Sequence, residues 1–220
     1  MNNTTPPPIV PAGAAIESAS FKVIEENSGD HSAYDEKQWN IVRRLIHTSG
    51  DFAFNGLTKF HPKAIKAAIN ALQSGAPLIV DVEMIRAGLT ARRLEPLGVK
   101  VYQYNADAEV IKQAKLEGTT RTVQAVRTAW RKGLLEGGIC AIGNAPTALL
   151  EILRLIEEEN VRPALIVGVP VGFISAAESK TALMGISSVP WVSIDGTKGG
   201  STLAVAALHA LMDLALGKAN

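Results

Sequence analysis

The chain has 220 residues, of which 47% are hydrophobic and 20% charged, and its formal net charge is +1. This length is enough to bury a substantial core, and the near-neutral charge argues against the strongly basic surface of a nucleic-acid-binding domain. Because Cys140 is the only cysteine, an internal disulfide is excluded and we expect a reducing compartment, the cytoplasm. No apolar run reaches the roughly 18 residues that a membrane span requires.

The amino terminus, MNNTTPPPIVP, contains three consecutive prolines but neither a basic region nor an apolar signal core. We therefore expect residues 1–11 to form an extended or disordered segment. No linker or internal repeat interrupts residues 12–220, which we expect to form a single domain.

Five short apolar runs predict the strands of a sheet. Several are rich in β-branched residues and bounded by Gly or Pro, as is typical of buried parallel strands. The runs lie at residues 77–81, 100–104, 138–143, 164–169 and 190–194. In parallel sheets, ligands bind beyond the carboxyl ends of the strands, so the loops that follow these five runs are the first place to seek a site.

Helical patterns lie around and between the predicted strands. They cover residues 35–47, 61–75, 120–138, 144–160 and 199–216. Pro62 is expected in the first turn of its helix, and Asn144 is expected to cap the helix that contains Pro146 in its first turn. The alternation predicts an α/β fold: a mainly parallel five-stranded sheet with helices on both faces, in a Rossmann-like three-layer sandwich.

His47 lies in the last turn of the predicted helix at 35–47. There the negative end of the helix dipole favours an imidazolium by about 0.3–2 kcal/mol. Gly50 is suited to the left-handed conformation that ends a helix, and Asp51 is near enough in sequence to be a charge partner. The helix dipole and the Asp51 carboxylate would both favour a protonated ring, so His47 is a candidate general acid. The alternative is a structural histidine that bonds the last carbonyls of its helix.

Two glycine-containing loops, GNAPT at 143–147 and GTKGGST at 196–202, offer free backbone N–H groups at helix starts, which attract carboxylate or phosphate. Simple turns are an equal alternative, and neither loop has a nucleotide-binding spacing. Arg121 stands at another helix start, where a cation opposes the dipole unless an anion lies between them. The alternative is a solvated surface arginine. The apolar loop at 168–180 suits either a large flat ligand or a subunit contact.

The four histidines show no metal-binding spacing with one another or with Cys140, which lies in an apolar run and is expected to pack in the core. From the residues alone, the chain is an α/β enzyme or a binding protein for a polyanionic small molecule.

Six segments together resemble the precorrin-8X methylmutase family of corrinoid (vitamin B12) biosynthesis. The resemblance spans about residues 12–215. Its most specific part is the combination of the dipeptides IH and GD in RRLIHTSGDF with the apolar loop at 168–180 and the sequence KGGS at 198–201. The segments are ESASFKVIEE (17–26), RRLIHTSGDF (43–52), DVEMIRAGL (81–89), AIGNAPTALLEIL (141–153), GVPVGFISAAESK (168–180) and KGGSTLAVAALHAL (198–211).

The resemblance implies an isomerase that moves a methyl group from C-11 to C-12 of precorrin-8X, giving hydrogenobyrinate. The cobalt-containing counterpart, cobalt-precorrin-8, would give cobyrinate, and the choice between the two stays open. The resemblance makes His47 the proton donor. It implies no cofactor and no catalytic metal, since any cobalt belongs to the substrate.

The resemblance also implies the substrate contacts and the assembly. Ser20, Thr90 and Arg121 are expected to bind carboxylates at the rim of the corrin precursor, and Asn144, Lys198 and Gly199 are further candidates. Family members are homodimers with active sites near the subunit interface, so a homodimer is expected, with neither a nucleic-acid nor a membrane partner.

Two positions depart from the family pattern. Thr197 stands where an arginine is more common, and His209 replaces a more common asparagine. Two other classes of function also stay open: a corrinoid carrier without catalysis, and a nucleotide-using enzyme that employs the loop at 196–202.

Overall fold

The computed structural model describes residues 13–218 of the chain, so the expected extended segment at 1–11 lies outside the described residues. The strands are β1 Thr58–Phe60, β2 Leu78–Val80, β3 Val101–Tyr102, β4 Ile139–Ile142, β5 Leu165–Gly168 and β6 Trp191–Ile194. The helices are α1 Gly13–Asn27, α2 Glu36–Ser49, α3 Phe54–Leu57, α4 Ala64–Gln73, α5 Glu83–Gly88, α6 Ala91–Leu97, α7 Ala108–Leu116, α8 Arg121–Arg131, α9 Pro146–Glu158, α10 Ala176–Met184 and α11 Ser201–Ala215.

The strands form one sheet in the order β1-β6-β5-β4-β2-β3. Strands β2 to β6 pair in parallel, so the predicted α/β fold with a mainly parallel sheet is confirmed. The predicted count of five strands is wrong, because β1 adds an antiparallel edge strand beside β6. This strand has only three residues, TKF, with Lys59 exposed, and so shows no apolar run by which a sequence pattern would detect it.

Helices cover both faces of the sheet, as predicted. On one face, Leu78 and Val80 of β2 belong to a core that also contains buried residues of α2, α4 and α11. On the other face, Ile79 joins the core formed with α8, α9 and α10, which includes the fully buried Cys140. Alternate side chains of one strand point to opposite faces, so two separate cores stabilise the three layers, and the core role expected for Cys140 is confirmed.

Two helix starts differ from the predictions. Helix α4 begins at Ala64, two residues after Pro62, because a turn closed by the Ala64 N–H and the His61 carbonyl (2.9 Å) precedes it. Helix α9 has Ala145, not Asn144, at its N-cap, although Pro146 occupies the first turn as expected.

The antiparallel edge strand brings helix α2 to the carboxyl edge of the sheet. Thr58, the first residue of β1, pairs with Ile194, the last residue of β6. The backbone N–H of Asp195 continues this contact by donating to the Leu57 carbonyl (2.8 Å). The end of α2 and the loop after β6 therefore lie on the same side of the molecule.

Candidate active site

Helix α2 extends two residues beyond the predicted range of 35–47 and ends at the predicted cap, Gly50. Asp35 caps its start and forms a reciprocal capping box with Gln38. Gly50 ends it in the left-handed conformation with a φ of 68°, as expected, and donates its N–H to the Ile46 carbonyl (2.8 Å). His47 stands in the last turn and is exposed. An exposed side chain in this position is available to a ligand.

An apolar groove of about 440 Å³ runs between α1 and the end of α2. Among its lining residues only Ser20 and His47 carry polar side chains, and the Ser20 hydroxyl donates to the Ile16 carbonyl one turn earlier (2.8 Å). The full lining is Ala15, Ile16, Ala19, Ser20, Val23, Ile24, Ile46, His47, Gly50 and Phe52. The structure thus brings together two residues, Ser20 and His47, that are 27 positions apart in the sequence.

Phe21 is a neighbour of His47 that the sequence analysis missed. Its ring centroid lies 5.0 Å from that of His47, with the planes tilted by 41°. The guanidinium of Arg44 lies 5.0 Å from the same phenyl ring. The signal was available, since Phe21 follows Ser20 directly in the segment that resembles the family, but its contact with α2 requires knowledge of how α1 packs.

A second groove between α1 and α2, of about 530 Å³, does not include His47. Three carboxylates, those of Glu17, Glu25 and Glu36, contribute to its lining. Lys22 and Arg43 also line it, so this groove is mixed in charge, unlike the apolar groove beside His47.

Asp51 does not have the partner expected for it. Its carboxylate forms an ion pair with Lys198, from the loop after β6, and also accepts the Ala53 N–H (2.9 Å). The hydrogen bond from the Lys198 ammonium lowers the pKa of Asp51. The pairing of Asp51 with His47 inferred from sequence proximity is therefore replaced by a contact that joins Lys198 to the end of α2.

The loop that carries Lys198 and Gly199 packs tightly on the segment after β5. The Gly200 N–H donates to the Val169 carbonyl (2.9 Å), and the Gly172 N–H donates to the Thr197 carbonyl (3.2 Å). A Cβ at Gly199 would overlap the Val169 carbonyl oxygen. A close approach of two backbone segments therefore explains the glycine at 199, and only its backbone is left to contact a ligand.

The GNAPT loop binds a carboxylate, but one that belongs to the protein. Asp81, at the end of β2, accepts N–H groups from Gly143 (3.1 Å), Asn144 (2.8 Å) and Ala145 (2.7 Å). Burial raises the pKa of Asp81, and these three bonds oppose the shift. The backbone donors predicted for a substrate anion are thus already used, whereas the exposed Asn144 side chain stays at the surface.

Arg121 is exposed at the first position of α8, where the cation opposes the helix dipole as predicted. Thr120 caps this helix by accepting the Val123 N–H (3.2 Å). The Thr147 hydroxyl, in the first turn of α9, lies 3.1 Å from that of Thr120 and 3.2 Å from that of Thr122. The starts of α8 and α9 are therefore adjacent, and Arg121 and Asn144 stand on neighbouring elements.

Thr90 lies apart from the groove. It is the half-buried N-cap residue of α6, and its hydroxyl is 3.4 Å from the Arg93 guanidinium. Arg93 is buried in a bidentate pair with Asp213 of α11 (2.9 and 2.8 Å). Neither Thr90 nor Arg121 lines the groove beside His47.

The loop after β5 is strongly apolar and exposed. Phe173 is 93% exposed and Ile174 is 85% exposed, and Val171 is also exposed. Through Gly172 this loop contacts the loop that carries Lys198. Large apolar side chains left in water mark a surface suited to a ligand or another protein.

Within residues 13–218, no group of three or more His, Cys, Asp or Glu side chains is arranged to hold a metal ion. Over the same residues, no helix has both the length and the apolar character needed to cross a membrane.

His47 is exposed on an apolar groove. Lys198 is joined to the same end of α2 through Asp51, at the carboxyl edge of the parallel sheet. Together these features are those of an α/β enzyme site. The family model for precorrin-8X methylmutase matches residues 15–214. The chain therefore belongs to the precorrin-8X methylmutase family, isomerases of cobalamin biosynthesis, as the sequence resemblance predicted.

Individual relatives agree with this assignment. The cobalt-precorrin-8 methylmutase of Leptospira interrogans is 47% identical over 205 residues, covering 91% of this chain and 93% of the relative. The precorrin-8X methylmutase of a Sinorhizobium species is 38% identical over 200 residues, covering 90% of this chain and 93% of the relative. The solved structure of the Thermus thermophilus precorrin-8X methylmutase has a TM-score of 0.87 and 46% identity, covering 93% of this chain and 97% of that one.

Proposed function

We propose that the protein moves a methyl group from C-11 to C-12 of precorrin-8X, or of cobalt-precorrin-8, with His47 as the proton donor. The products would be hydrogenobyrinate and cobyrinate, respectively. The observation that carries the proposal is the exposed His47 on the wall of an apolar groove that also contains Ser20.

His47 would act by making the conjugated macrocycle electron-poor. Protonation of the ring system lowers the barrier to a 1,5-shift of the methyl group, and a well-placed proton donor typically contributes about 10²–10⁴-fold. Because substrate and product are isomers, one proton must leave the ring system after the shift. The same imidazole, then neutral, is the natural acceptor, so His47 would end the cycle in its starting form.

The groove and its surroundings suit the proposed substrate, a flat apolar disc that carries carboxylates on its rim. Apolar side chains of the groove would contact the disc. The Ser20 hydroxyl, turned away from the Ile16 carbonyl, and the exposed ammonium of Lys198 would bind rim carboxylates. An ammonium near a carboxylate ligand gives a charge-assisted bond.

The other proposed rim contacts rest on the family resemblance. Arg121 and the Asn144 side chain are exposed on adjacent helix starts, which favours a role at the rim. Thr90 is half-buried beside Arg93, and Gly199 would contribute its backbone alone.

We further propose a homodimer that acts in the cytoplasm. Phe173 and Ile174, which are almost fully exposed in the single chain, favour a subunit contact on the loop after β5. If Phe173 and Ile174 do not form a subunit contact, they would instead cover the flat face of the substrate.

The decisive experiment is turnover by the His47→Ala variant, followed through the visible absorption of metal-free and cobalt-loaded substrate. We expect the variant to fold and to bind substrate, because His47 is exposed, while its kcat falls by about 10²–10⁴-fold. The neighbouring exposed Thr48→Ala is the control and should retain turnover.

Near-normal turnover by His47→Ala would exclude His47 as the donor. A stoichiometric spectral change without turnover by the unmodified protein would instead favour a corrinoid carrier. Comparison of the two substrates with the unmodified protein identifies the natural one.

A further inference from the structure

Lys180 of α10 is a buried cation with a specific contact. Its side chain is fully buried (0% exposed), which is rare for lysine because an ammonium loses hydration when it leaves water. Its Nζ donates to the backbone carbonyl of Lys198 (2.5 Å). The lysine therefore reaches through the core to the loop after β6.

Lys198 is consequently held at both ends. Its carbonyl accepts from Lys180, and its ammonium is paired with Asp51 at the end of α2. The two residues that follow are packed on the segment after β5, with the Gly200 N–H bonded to the Val169 carbonyl. Without the Lys180 contact, the carbonyl of Lys198 would lose its charge-assisted donor.

We propose that Lys180 is a positioning residue for substrate binding: its buried ammonium fixes the backbone of Lys198 so that the Lys198 side chain meets a substrate carboxylate beside the His47 groove. This inference rests on the proposed function, because it assigns the substrate contact to Lys198.

The charge on Lys180 is expected to depend on pH near neutrality. Burial lowers the pKa of Lys180 to about 8, and the facing carboxylate of Asp195 opposes this shift. The other charged group nearby is the ammonium of Lys198, which is paired with Asp51. Lys180 is thus mainly protonated at pH 7 and loses its charge, and with it the stronger hydrogen bond, as the pH rises through about 8.

The test compares Lys180→Met with Lys180→Arg in steady-state turnover of whichever substrate the unmodified protein converts. Lys180→Met should fold, because methionine fills a similar space and removes the cost of keeping an ammonium out of water, although the Lys198 carbonyl loses a donor, at some cost in stability. We expect its KM to rise by about tenfold, the size of a lost charge-assisted hydrogen bond, with little change in kcat.

Lys180→Arg keeps a permanent charge. It should recover most of the lost kcat/KM, and it should lack the decline in kcat/KM that we expect of the unmodified protein above pH 8. Lys112→Met, which removes an exposed lysine 3.9 Å from Glu109, is the matched control and should leave both kinetic constants unchanged.

A second measurement needs no substrate. Amide hydrogen exchange at Gly200, whose N–H bonds the Val169 carbonyl, should accelerate by about tenfold in Lys180→Met if Lys180 fixes this loop. Unchanged KM and unchanged exchange in that variant would overturn the proposal. Absence of turnover by the unmodified protein would contradict the proposed function alone, and the exchange result would still decide whether Lys180 holds the loop.

Discussion

Gly199 shows how a single residue links packing to the site. Its α-carbon lies so close to the segment after β5 that a Cβ would overlap the Val169 carbonyl and stand 2.7 Å from the Pro170 carbonyl oxygen. Both neighbours are backbone atoms that cannot turn aside. The loop that carries Lys198 therefore tolerates no side chain here without moving.

We predict that Gly199→Ala lowers the free energy of unfolding by about 1–3 kcal/mol, the usual cost of overpacking, and raises KM for substrate. Gly185→Ala is the matched control, since its Cβ would meet its nearest atom, the Ala182 carbonyl oxygen, at an ordinary 3.4 Å and its φ is −76°. Urea unfolding of both variants measures the difference. Equal stability of the two would contradict the predicted overlap.

Local features of single residues were predictable, whereas their distant partners were not. The left-handed Gly50 depends only on the last turn of α2 and was predicted correctly. The partner of Asp51 is Lys198, 147 positions away, so proximity in sequence pointed wrongly to His47. The use of the GNAPT backbone donors by Asp81 also depends on strands β2 and β4 being neighbours.

At the scale of elements, helices α8 and α9 are joined by a charge network on the face opposite the groove. Glu151 of α9, only 6% exposed, accepts from Arg127 of α8 (2.8 Å) and from Arg154 of its own helix (2.7 Å). Burial raises the pKa of Glu151, but the hydrogen bonds from these two arginines outweigh it, so the pKa lies below its usual value. The carboxylate therefore stabilises this helix pair at neutral pH.

We predict that Glu151→Gln lowers the free energy of unfolding by about 1.5–3 kcal/mol, the range for hydrogen bonds to charged groups. Glu158→Gln removes an exposed carboxylate from the same Arg154 (2.6 Å) and should change stability by no more than about 0.5 kcal/mol. Urea midpoints at pH 7, with unchanged slopes, provide the comparison. A larger loss of stability in Glu158→Gln than in Glu151→Gln would show that the exposed carboxylate, not the buried one, stabilises this helix pair.

Strands that lie in an apolar run were predicted from the sequence, and the one without such a run was missed. The five apolar runs all contain strands of the sheet. In β2, β4, β5 and β6 every residue is buried, which leaves a continuous hydrophobic signal, whereas the edge strand β3 is only half-buried. The three-residue β1 has no such signal, and its place in the sheet comes from pairing with β6. Of the candidate site, His47 was predicted from its place at a helix end and from the family resemblance, and Ser20 from the resemblance alone, whereas the contact of Phe21 with His47 depends on the packing of α1 against α2.

For the molecule as a whole, helix α2 packs on helix α11 in the most extensive contact between helices among residues 13–218. His209 of α11 lies on this side, and its Nε2 is buried with no hydrogen-bond partner among the described residues. Burial lowers the pKa of His209 to about 4, with Arg93 and Arg44 adding to the shift and Asp213 opposing it. The folded protein therefore holds this imidazole neutral among cations.

This neutral histidine makes the stability of the whole molecule depend on pH. Between pH 6.5 and pH 4 an unfolded chain binds a proton at His209 while the folded chain does not, so the free energy of unfolding decreases as the pH falls through this range. We predict that His209→Asn reduces this decrease, because asparagine does not titrate, while changing stability little at pH 8. Thermal unfolding of both proteins from pH 8 to pH 4.5 measures the effect. Parallel stability curves would show that His209 is not the group whose protonation opposes folding, whereas curves that coincide at pH 8 and separate as the pH falls, with His209→Asn the more stable, would assign that role to His209.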